Sequence, residues 1–208
     1  MELKEFLAGR QKANLLIIAA NFVVFVLLSL GGRTESGQYL LQHGAMYPPY
    51  VLGEGQYYRL FTSMFLHFGL QHLVYNMLLL LFLGDILERE CGKVRYLIIY
   101  LAGGLAGNLL SLFMAVRSGS QAVSAGASGA VFAVIGGLLA ILLLRGRIRG
   151  VSGKRLALMA VLTVADGLTQ TGIDNYAHIG GLLGGFLVTA ILLILSGDIR
   201  GRRTRTPL

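Results

Sequence analysis

The chain has 208 residues, of which 55% are hydrophobic and only 13% are charged, and it carries a formal net charge of +8. Soluble domains contain about 25% charged residues, whereas the apolar residues of this chain form long runs typical of bilayer spans. The composition therefore excludes an ordinary soluble domain and indicates a membrane protein. The single cysteine, Cys91, also excludes an intramolecular disulfide.

In chain order, the apolar runs predict six membrane-spanning helices, and the fold class is therefore an all-α membrane protein built as a six-transmembrane-helix bundle. We expect the spans at Ala13–Leu30, Leu70–Leu87, Val94–Val116, Ala127–Leu144, Leu156–Leu168 and Tyr176–Leu195. A hydrocarbon core of about 30 Å needs about 20 helical residues, so the fifth run is short. It is expected to extend through Gln170, to be tilted, or to pack loosely at an edge of the bundle.

The spans divide the chain into three parts. A membrane domain over 13–196, which includes a long connection at 31–69, separates an N-terminal segment, 1–12, from a basic tail, 197–208. The long connection is rich in tyrosine, and aromatic residues prefer the membrane–water interface. Two interpretations stay open for it: a partly apolar loop that leans into the outer leaflet, or a simple extracellular loop.

The distribution of lysine and arginine predicts the orientation of the bundle. Of the 18 basic residues, fifteen fall in the N-terminal segment, the connection between spans 2 and 3, the connection between spans 4 and 5, and the tail. The opposite side carries only Arg33, Arg59 and Arg117. Because Lys and Arg accumulate in cytoplasmic segments, both termini are predicted to be cytoplasmic. Topology thus explains the net charge, so no nucleic-acid partner is expected, whereas anionic lipid headgroups would bind the same charges.

Four polar residues lie near the starts of three predicted spans. His72 and Asn76 begin span 2, Ser128 begins span 4 and His178 begins span 6. With the N-terminus inside, these spans all run from outside to inside, so the four residues lie within about 5–10 Å of the outer ends at 1.5 Å per residue. Because polar groups inside spans are costly, their convergence in one layer predicts a functional site.

The residue types in this layer are those of acyl-transfer catalysis. A serine hydroxyl needs a nearby base to act as a nucleophile, and a histidine suits proton transfer near neutral pH. Ser128 lies between Gly126 and Gly129, which leave space around its hydroxyl, and His178 would be its base. No acidic residue lies near the middle of a predicted span, so the sequence predicts a Ser–His dyad without a carboxylate.

Acyl transfer also needs hydrogen-bond donors aimed at the developing oxyanion. His72 and Asn76 are four residues apart, which places them on one face of a helix, and both can donate. With the backbone N–H of Ser128, they are the candidates for this role. Asp166 and Asp174 lie near the outer ends of spans 5 and 6 and are expected to be solvated.

Each of these residues also has a structural interpretation. A serine in a membrane helix commonly bonds the carbonyl four residues earlier, and this would apply to Ser128. Asn76 would serve equally as an interhelical hydrogen-bond anchor, and His67 is expected to be structural at the start of span 2. A metal site built from His67, His72 and His178 would lack an acidic or cysteine ligand, so neither a metal nor a cofactor is predicted.

Small residues recur at a spacing of four on three spans. Span 6 carries the pairs Gly180 and Gly184, and Gly181 and Gly185. Span 4 carries a line formed by Gly129, Ala133 and Gly137, and span 3 carries the pair Gly103 and Gly107. Small residues let helix backbones approach closely in a membrane. The pattern predicts tight packing of spans 4 and 6, which would bring Ser128 and His178 together.

Three segments resemble the motifs of one protein family. They are Gly126-Ala127-Ser128-Gly129 on span 4, Ala177-His178-Ile179-Gly180-Gly181 on span 6, and the run from His67 to Asn76 leading into span 2. Each motif alone is weak, but together and in this order they are specific. The chain resembles the rhomboid family of intramembrane serine proteases from about Gly44 to Leu187, and the six-span bundle agrees with that family.

The resemblance implies a role for each site residue. Ser128 would be the nucleophile, His178 the general base, and His72, Asn76 and the Ser128 amide the oxyanion hole, with Gly126 in the supporting loop. The implied substrates are single-span membrane proteins, cut near the outer membrane face after lateral entry past span 5 and spans 1–3. The resemblance also implies that the first outer loop is a membrane-embedded element.

Three further features, at four positions, correspond to the family pattern. Glu88 corresponds to an acidic position with a structural role at the cytoplasmic end of span 2. Phe132, one turn after Ser128, corresponds to an aromatic residue that often packs on the base histidine, although it lacks a hydroxyl. The family often has a Trp-Arg pair in the outer loop, where this chain has Tyr58 and Arg59.

Other functions fit the sequence less well. A catalytically inactive rhomboid-like protein that binds membrane clients would have the same fold, but such relatives usually lack the serine or the histidine. A small transporter would show internal repeats and interrupted helices near the midplane, and a scaffold would leave the polar layer unexplained. Because no transit peptide is recognised, we expect an integral, multi-pass protein of a bacterial plasma membrane; the oligomeric state is left open.

Overall fold

The computed structural model describes residues 9–148, 152–169 and 173–199. The chain forms nine α-helices within these ranges: α1 (Lys12–Gly31), α2 (Gly37–Gln42), α3 (Arg59–Thr62), α4 (Gly69–Leu79), α5 (Asp85–Cys91), α6 (Lys93–Ser118), α7 (Ser128–Arg145), α8 (Gly153–Thr169) and α9 (Asn175–Leu195). The described ranges contain no strand beyond one antiparallel bridge between Met46 and Ser124. The predicted all-α fold class is confirmed.

Five of the six predicted spans are long and apolar enough to cross a membrane. They are α1, α6, α7, α9 and the continuous helical segment that α4 and α5 form together. Their mean hydropathies lie between 1.6 and 2.4. The remaining predicted span corresponds to α8, which has 17 residues. At 1.5 Å per residue, α8 is about 26 Å long, below the hydrocarbon thickness of about 30 Å. The count of six spans and the domain boundaries therefore stay predictions, and the proposed extension to Gln170 lies outside the described residues.

A π-helical turn, Leu80–Gly84, interrupts the second span between α4 and α5. The turn packs on Asn14 of α1, whose Nδ2 donates to the Leu80 carbonyl at 2.8 Å. The Tyr96 hydroxyl of α6 donates in turn to Asn14 Oδ1 at 2.7 Å. Insertion of a polar side chain is a known cause of such a break in the helical ladder, and Asn14 thereby links the first three spans.

Carboxylates from α5 bind the N-terminus of α1. Glu88 accepts from the backbone N–H groups of Ala13 and Asn14, at 3.2 and 2.7 Å, and Asp85 accepts from that of Gln11 at 2.8 Å. The first N–H groups of a helix have no partner within the helix, and an anion there is also favoured by the helix dipole. These contacts agree with the structural role that the resemblance implies for Glu88.

Glycines set the packing of α9 against two neighbours. A Cβ added at Gly181 would lie 2.0 Å from the Gly129 carbonyl oxygen of α7, and one at Gly185 would lie 2.1 Å from the Ala133 carbonyl oxygen. Cβ atoms at Gly180 and Gly184 would instead meet Ala106 of α6, at 2.8 and 2.6 Å. One glycine pair therefore faces α7 and the other faces α6. The predicted close packing of spans 4 and 6 is confirmed.

Helix α7 lies at the centre of the bundle. Every residue from Gly129 to Leu138 is buried, whereas α1 exposes large apolar side chains such as Leu16 and Leu27. A helix that is apolar on all sides belongs either in a core or in a membrane. The buried α7 and the apolar outer faces of the peripheral helices fit a membrane bundle, and they hold Ser128 at the first residue of the central helix.

The long connection between α1 and α4 is a folded element. Besides α2 and α3 it contains the π-helical turn Pro49–Gly53 and the 3₁₀ turn Ser63–Phe65. Arg59 is buried within it and donates to the carbonyls of Leu41 and Ala45, at 2.7 and 2.9 Å. The guanidinium also lies 5.5 Å from the centre of the Tyr58 ring. The loop is therefore organised around a buried cation rather than running as an extended connection.

Candidate active site

Gly126 is the point where the predicted nucleophile approaches the second span. Its φ of +146° is one that residues with a side chain rarely adopt. A Cβ at this position would lie 3.0 Å from His72 Nε2 and 3.6 Å from Ser128 Oγ. The structure therefore brings Gly126, His72 and Ser128 together, as the sequence predicts, and the space that glycine leaves lies between the imidazole and the hydroxyl.

The loop carrying Gly126 is fixed by polar residues of the outer loop and α6. The Gly126 N–H donates to the Ser63 carbonyl at 2.9 Å, and Asn108 of α6 donates to Ser63 Oγ and to the Leu60 carbonyl, at 3.0 and 2.7 Å. These contacts give Asn108 a packing role between α6 and the outer loop. Its effect reaches the site because it holds the turn that binds Gly126.

His67 orients both the loop and His72. The Ala127 N–H donates to His67 Nε2 at 3.4 Å, and the two imidazole rings meet edge to face with centroids 5.2 Å apart. Burial, with a smaller contribution from His72, lowers the pKa of His67 to about 3. His67 is therefore neutral, which leaves Nε2 free to accept from the loop. This is the structural role that the sequence predicts for it.

Asn76 is buried one turn after His72 on α4. Its Nδ2 donates to the His72 carbonyl at 3.0 Å. Across the described part of the chain its side chain has no interhelical hydrogen bond, which argues against the anchor interpretation. A side-chain amide carries two donor hydrogens, so one remains available beyond the bond within α4.

His178 is held by ring stacking. It is 9% exposed, and its ring lies parallel to Phe132 of α7, with centroids 4.2 Å apart and an interplanar angle of 12°. The contact that the resemblance implies for Phe132 is confirmed. Among the residues that the structure describes, His178 Nδ1 is buried without a hydrogen-bond partner. The stacking on Phe132 fixes the plane of the imidazole.

Ser128 and His178 occupy facing first turns of α7 and α9. A Cβ at Gly129 would lie 3.4 Å from the Ala177 carbonyl, so the residues next to both side chains are in contact. Within the described ranges the Ser128 hydroxyl makes no hydrogen bond, either to the carbonyl four residues earlier or to His178. The first point argues against a purely structural serine, and the second is common in active sites without substrate.

Asp174 corrects one expectation from the sequence. It was expected to be solvated, but it is half-buried and is the N-cap of α9, accepting from the Ala177 N–H at 3.0 Å. Its other carboxylate oxygen accepts from the hydroxyls of Ser111 and Ser124. An aspartate directly before an apolar helix is a common N-cap, so this contact could be predicted from the sequence. The contacts with Ser111 and Ser124 could not, because these serines lie 63 and 50 residues away. The side chain of Asp166 lies outside what the structure describes.

The sequence matches the Rhomboid domain family over residues 54–195. The chain belongs to the rhomboid family. It is 34% identical over 199 residues to rhomboid protease GluP of Bacillus subtilis (strain 168), covering 95% of this chain and 38% of that protein. It is 41% identical over 140 residues to RHOMBOID-like protein 4 of Arabidopsis thaliana, covering 66% of this chain and 34% of that protein.

A further relative of this rhomboid chain is RHOMBOID-like protein 7 of Arabidopsis thaliana, 38% identical over 162 residues, which cover 76% of this chain and 50% of that protein. The chain thus spans about a third to a half of the length of these curated relatives. Family membership and the apolar helices make it an integral, multi-pass membrane protein of the rhomboid type.

Proposed function

We propose that this rhomboid-family chain is an intramembrane serine endopeptidase that works through a Ser128–His178 dyad. The observation that carries the proposal is the meeting of Ser128 and His72 at Gly126, with His178 stacked on the ring one turn after Ser128. The match to the Rhomboid domain and to a relative named a rhomboid protease supports the same reaction class.

The proposed first step is attack by Ser128 Oγ on the scissile carbonyl. His178 Nε2 takes the hydroxyl proton, because Nδ1 is buried. The imidazolium then gives this proton to the leaving amine, and an acyl-enzyme forms on Ser128. Water attacks the ester in the second half, with His178 again acting as the base, and the acid product leaves.

The developing oxyanion would be stabilised by three donors. The Ser128 N–H belongs to the first turn of α7, where N–H groups lack helical partners and the helix dipole favours negative charge. His72 Nε2 borders the space at Gly126, and Asn76 has a second amide hydrogen. Loss of one such donor costs about 10²–10³ in rate.

We further propose that the substrates are single-span membrane proteins cut near the outer membrane face. Support comes from the position of His72, Ser128 and His178 in the first turns of α4, α7 and α9, which puts the site at one end of the bundle. The distribution of Lys and Arg supports an outer position for that end, with both termini in the cytoplasm. A bacterial plasma membrane is the proposed location, and anionic lipid is expected near the basic segments.

The test is labelling of the detergent-solubilised protein by a fluorophosphonate, which reacts with activated serines. We expect wild type to be labelled, and the Ser128→Ala and His178→Ala variants to stay unlabelled while folded. Ser196→Ala is the matched control, since Ser196 bonds a carbonyl of its own helix at the opposite end of α9. An unlabelled wild type that is folded and admits the probe would favour the inactive, client-binding alternative.

A further inference from the structure

One carboxylate connects three segments around the site. Asp174 lies at the N-terminus of α9, and its Oδ1 accepts from the Ala177 N–H at 3.0 Å. Its Oδ2 accepts from Ser111 Oγ of α6 and, at 2.6 Å, from Ser124 Oγ in the loop before α7. An ionised carboxylate is an acceptor with about four lone-pair sites, so three donors suit it.

Two of the three partners, Ser124 and Ala177, lie next to the proposed dyad. Ser124 comes four residues before Ser128, and its backbone pairs with Met46 through a reciprocal pair of bonds of 2.9 Å. Ala177 directly precedes His178, whose own N–H donates to the Asp174 carbonyl at 3.2 Å. The carboxylate therefore joins the segment that carries the nucleophile to the helix that carries the base.

We propose that Asp174 is a positioning residue that fixes the loop of Ser128 relative to the helix of His178; this rests on the proposed serine-protease function. The Ser128 hydroxyl has no hydrogen bond to His178 within the described ranges, so their side chains do not set their own spacing. The spacing between Ser128 and His178 comes from their backbones. Asp174 joins the two segments through its bond with Ser124, four residues before each member of the dyad. Charge-assisted hydrogen bonds are shorter and stronger than neutral ones, which suits a fixed connection.

Substitutions at Asp174 separate this role from simple helix capping. Asp174→Ser keeps an N-cap acceptor for Ala177 but is too short to reach Ser111 and Ser124. Asp174→Asn keeps the length and the cap but removes the charge. The control is Asp198→Ala, which removes a carboxylate beyond the opposite end of α9, where Asp198 pairs with Arg145.

The first readout is the second-order rate of fluorophosphonate labelling at Ser128, with kcat and KM for a single-span substrate. Because a 1 Å misplacement can cost about 10²-fold in rate, Asp174→Ser should lower the labelling rate and kcat by about 10²-fold with KM unchanged. Asp174→Asn should lose much less activity than Asp174→Ser, and Asp198→Ala should have the wild-type labelling rate and kcat. A folded Asp174→Ser protein with wild-type kcat, or an equal loss in Asp198→Ala, would overturn the proposal.

The second readout does not depend on catalysis. Because the loop loses a hydrogen bond to a charged group, hydrogen–deuterium exchange should increase at least about tenfold over residues 120–127 in Asp174→Ser. The end of α9 at Leu195 should exchange as in wild type. Unchanged exchange over 120–127 would refute the connection even if the chain proved inactive. If wild type were unlabelled but the loop loosened as expected, the proposed function alone would fail.

Discussion

Replacement of Gly181 by alanine should separate α7 from α9. The added Cβ would lie 2.0 Å from the Gly129 carbonyl oxygen and 2.8 Å from the Gly129 carbonyl carbon. Both are backbone atoms, so rotation of a side chain cannot relieve the clash. The helices must move apart by roughly 1 Å before this distance reaches 3.0 Å, because Cβ atoms in proteins essentially never approach other atoms more closely than that. Overpacking of this kind costs about 1–3 kcal/mol of stability.

The expected effect on reactivity exceeds the effect on stability, because Gly129 directly follows Ser128 and Gly181 lies three residues after His178. A misplacement of about 1 Å can cost about 10²-fold in rate, so Gly181→Ala should label at least about 10²-fold more slowly. The assay is fluorophosphonate labelling at a temperature well below the unfolding midpoint, with thermal unfolding measured in the same detergent. Gly53→Ala is the control, since nothing lies within 4 Å of a Cβ there.

A second substitution on the same helix tests the reasoning by rescue. A Cβ at Gly184 would lie 2.6 Å from the Ala106 Cβ of α6, which is a side-chain atom. Gly184→Ala should therefore destabilise alone and be restored by Ala106→Gly, with a coupling visible in a double-mutant cycle. Ala106→Gly should not rescue Gly181→Ala. Wild-type stability and labelling in Gly181→Ala would refute the close approach of the two backbones.

Two further predictions concern the stacked ring and the helix caps. Phe132→Leu should slow Ser128 labelling about 2–10-fold, because an aromatic pair contributes about 0.5–1.5 kcal/mol. Phe132→Tyr keeps the ring and should label at a rate near that of wild type. An equal loss in both variants would exclude stacking as the cause. Glu88→Gln should lower the free energy of unfolding by about 1–3 kcal/mol, because two hydrogen bonds to α1 lose their ionic acceptor. Thermal unfolding measures this, and the exposed Glu54→Gln should leave the midpoint unchanged.

The spans and their packing were predictable from the sequence because each follows from a local pattern. Hydropathy gave the helices to within a few residues; the second predicted span, for example, ends at Leu87, whereas α5 continues to Cys91. The glycine pairs of span 6 predicted close packing, since only a small residue allows backbone contact. The sequence did not assign one pair to α7 and the other to α6, because that depends on the rotation of α9 about its axis.

The connections made by single polar side chains were not predictable. Asn14 reads as one polar residue near the start of an apolar helix, and nothing local shows that it binds a π-helical turn 66 residues away. Asp174 reads as a solvated residue in the loop before span 6. Contacts of this kind depend on which helices become neighbours, and that is decided by the whole fold.

The two side chains proposed to react differ from the backbone groups around them. In the described part of the chain, the Ser128 hydroxyl and His178 Nδ1 have no hydrogen bonds, whereas Gly126, Ala127 and Ala177 are each held by a donor N–H. A hydroxyl bonded to a backbone carbonyl would have to break that bond before attack, so the arrangement leaves the side chain free to bond the base and restrains its backbone. Substitutions that move the backbone, such as Gly181→Ala, should therefore slow labelling more than loss of the ring contact at Phe132. The ratio of these two effects measures how far helix packing, rather than side-chain contact, aligns the dyad.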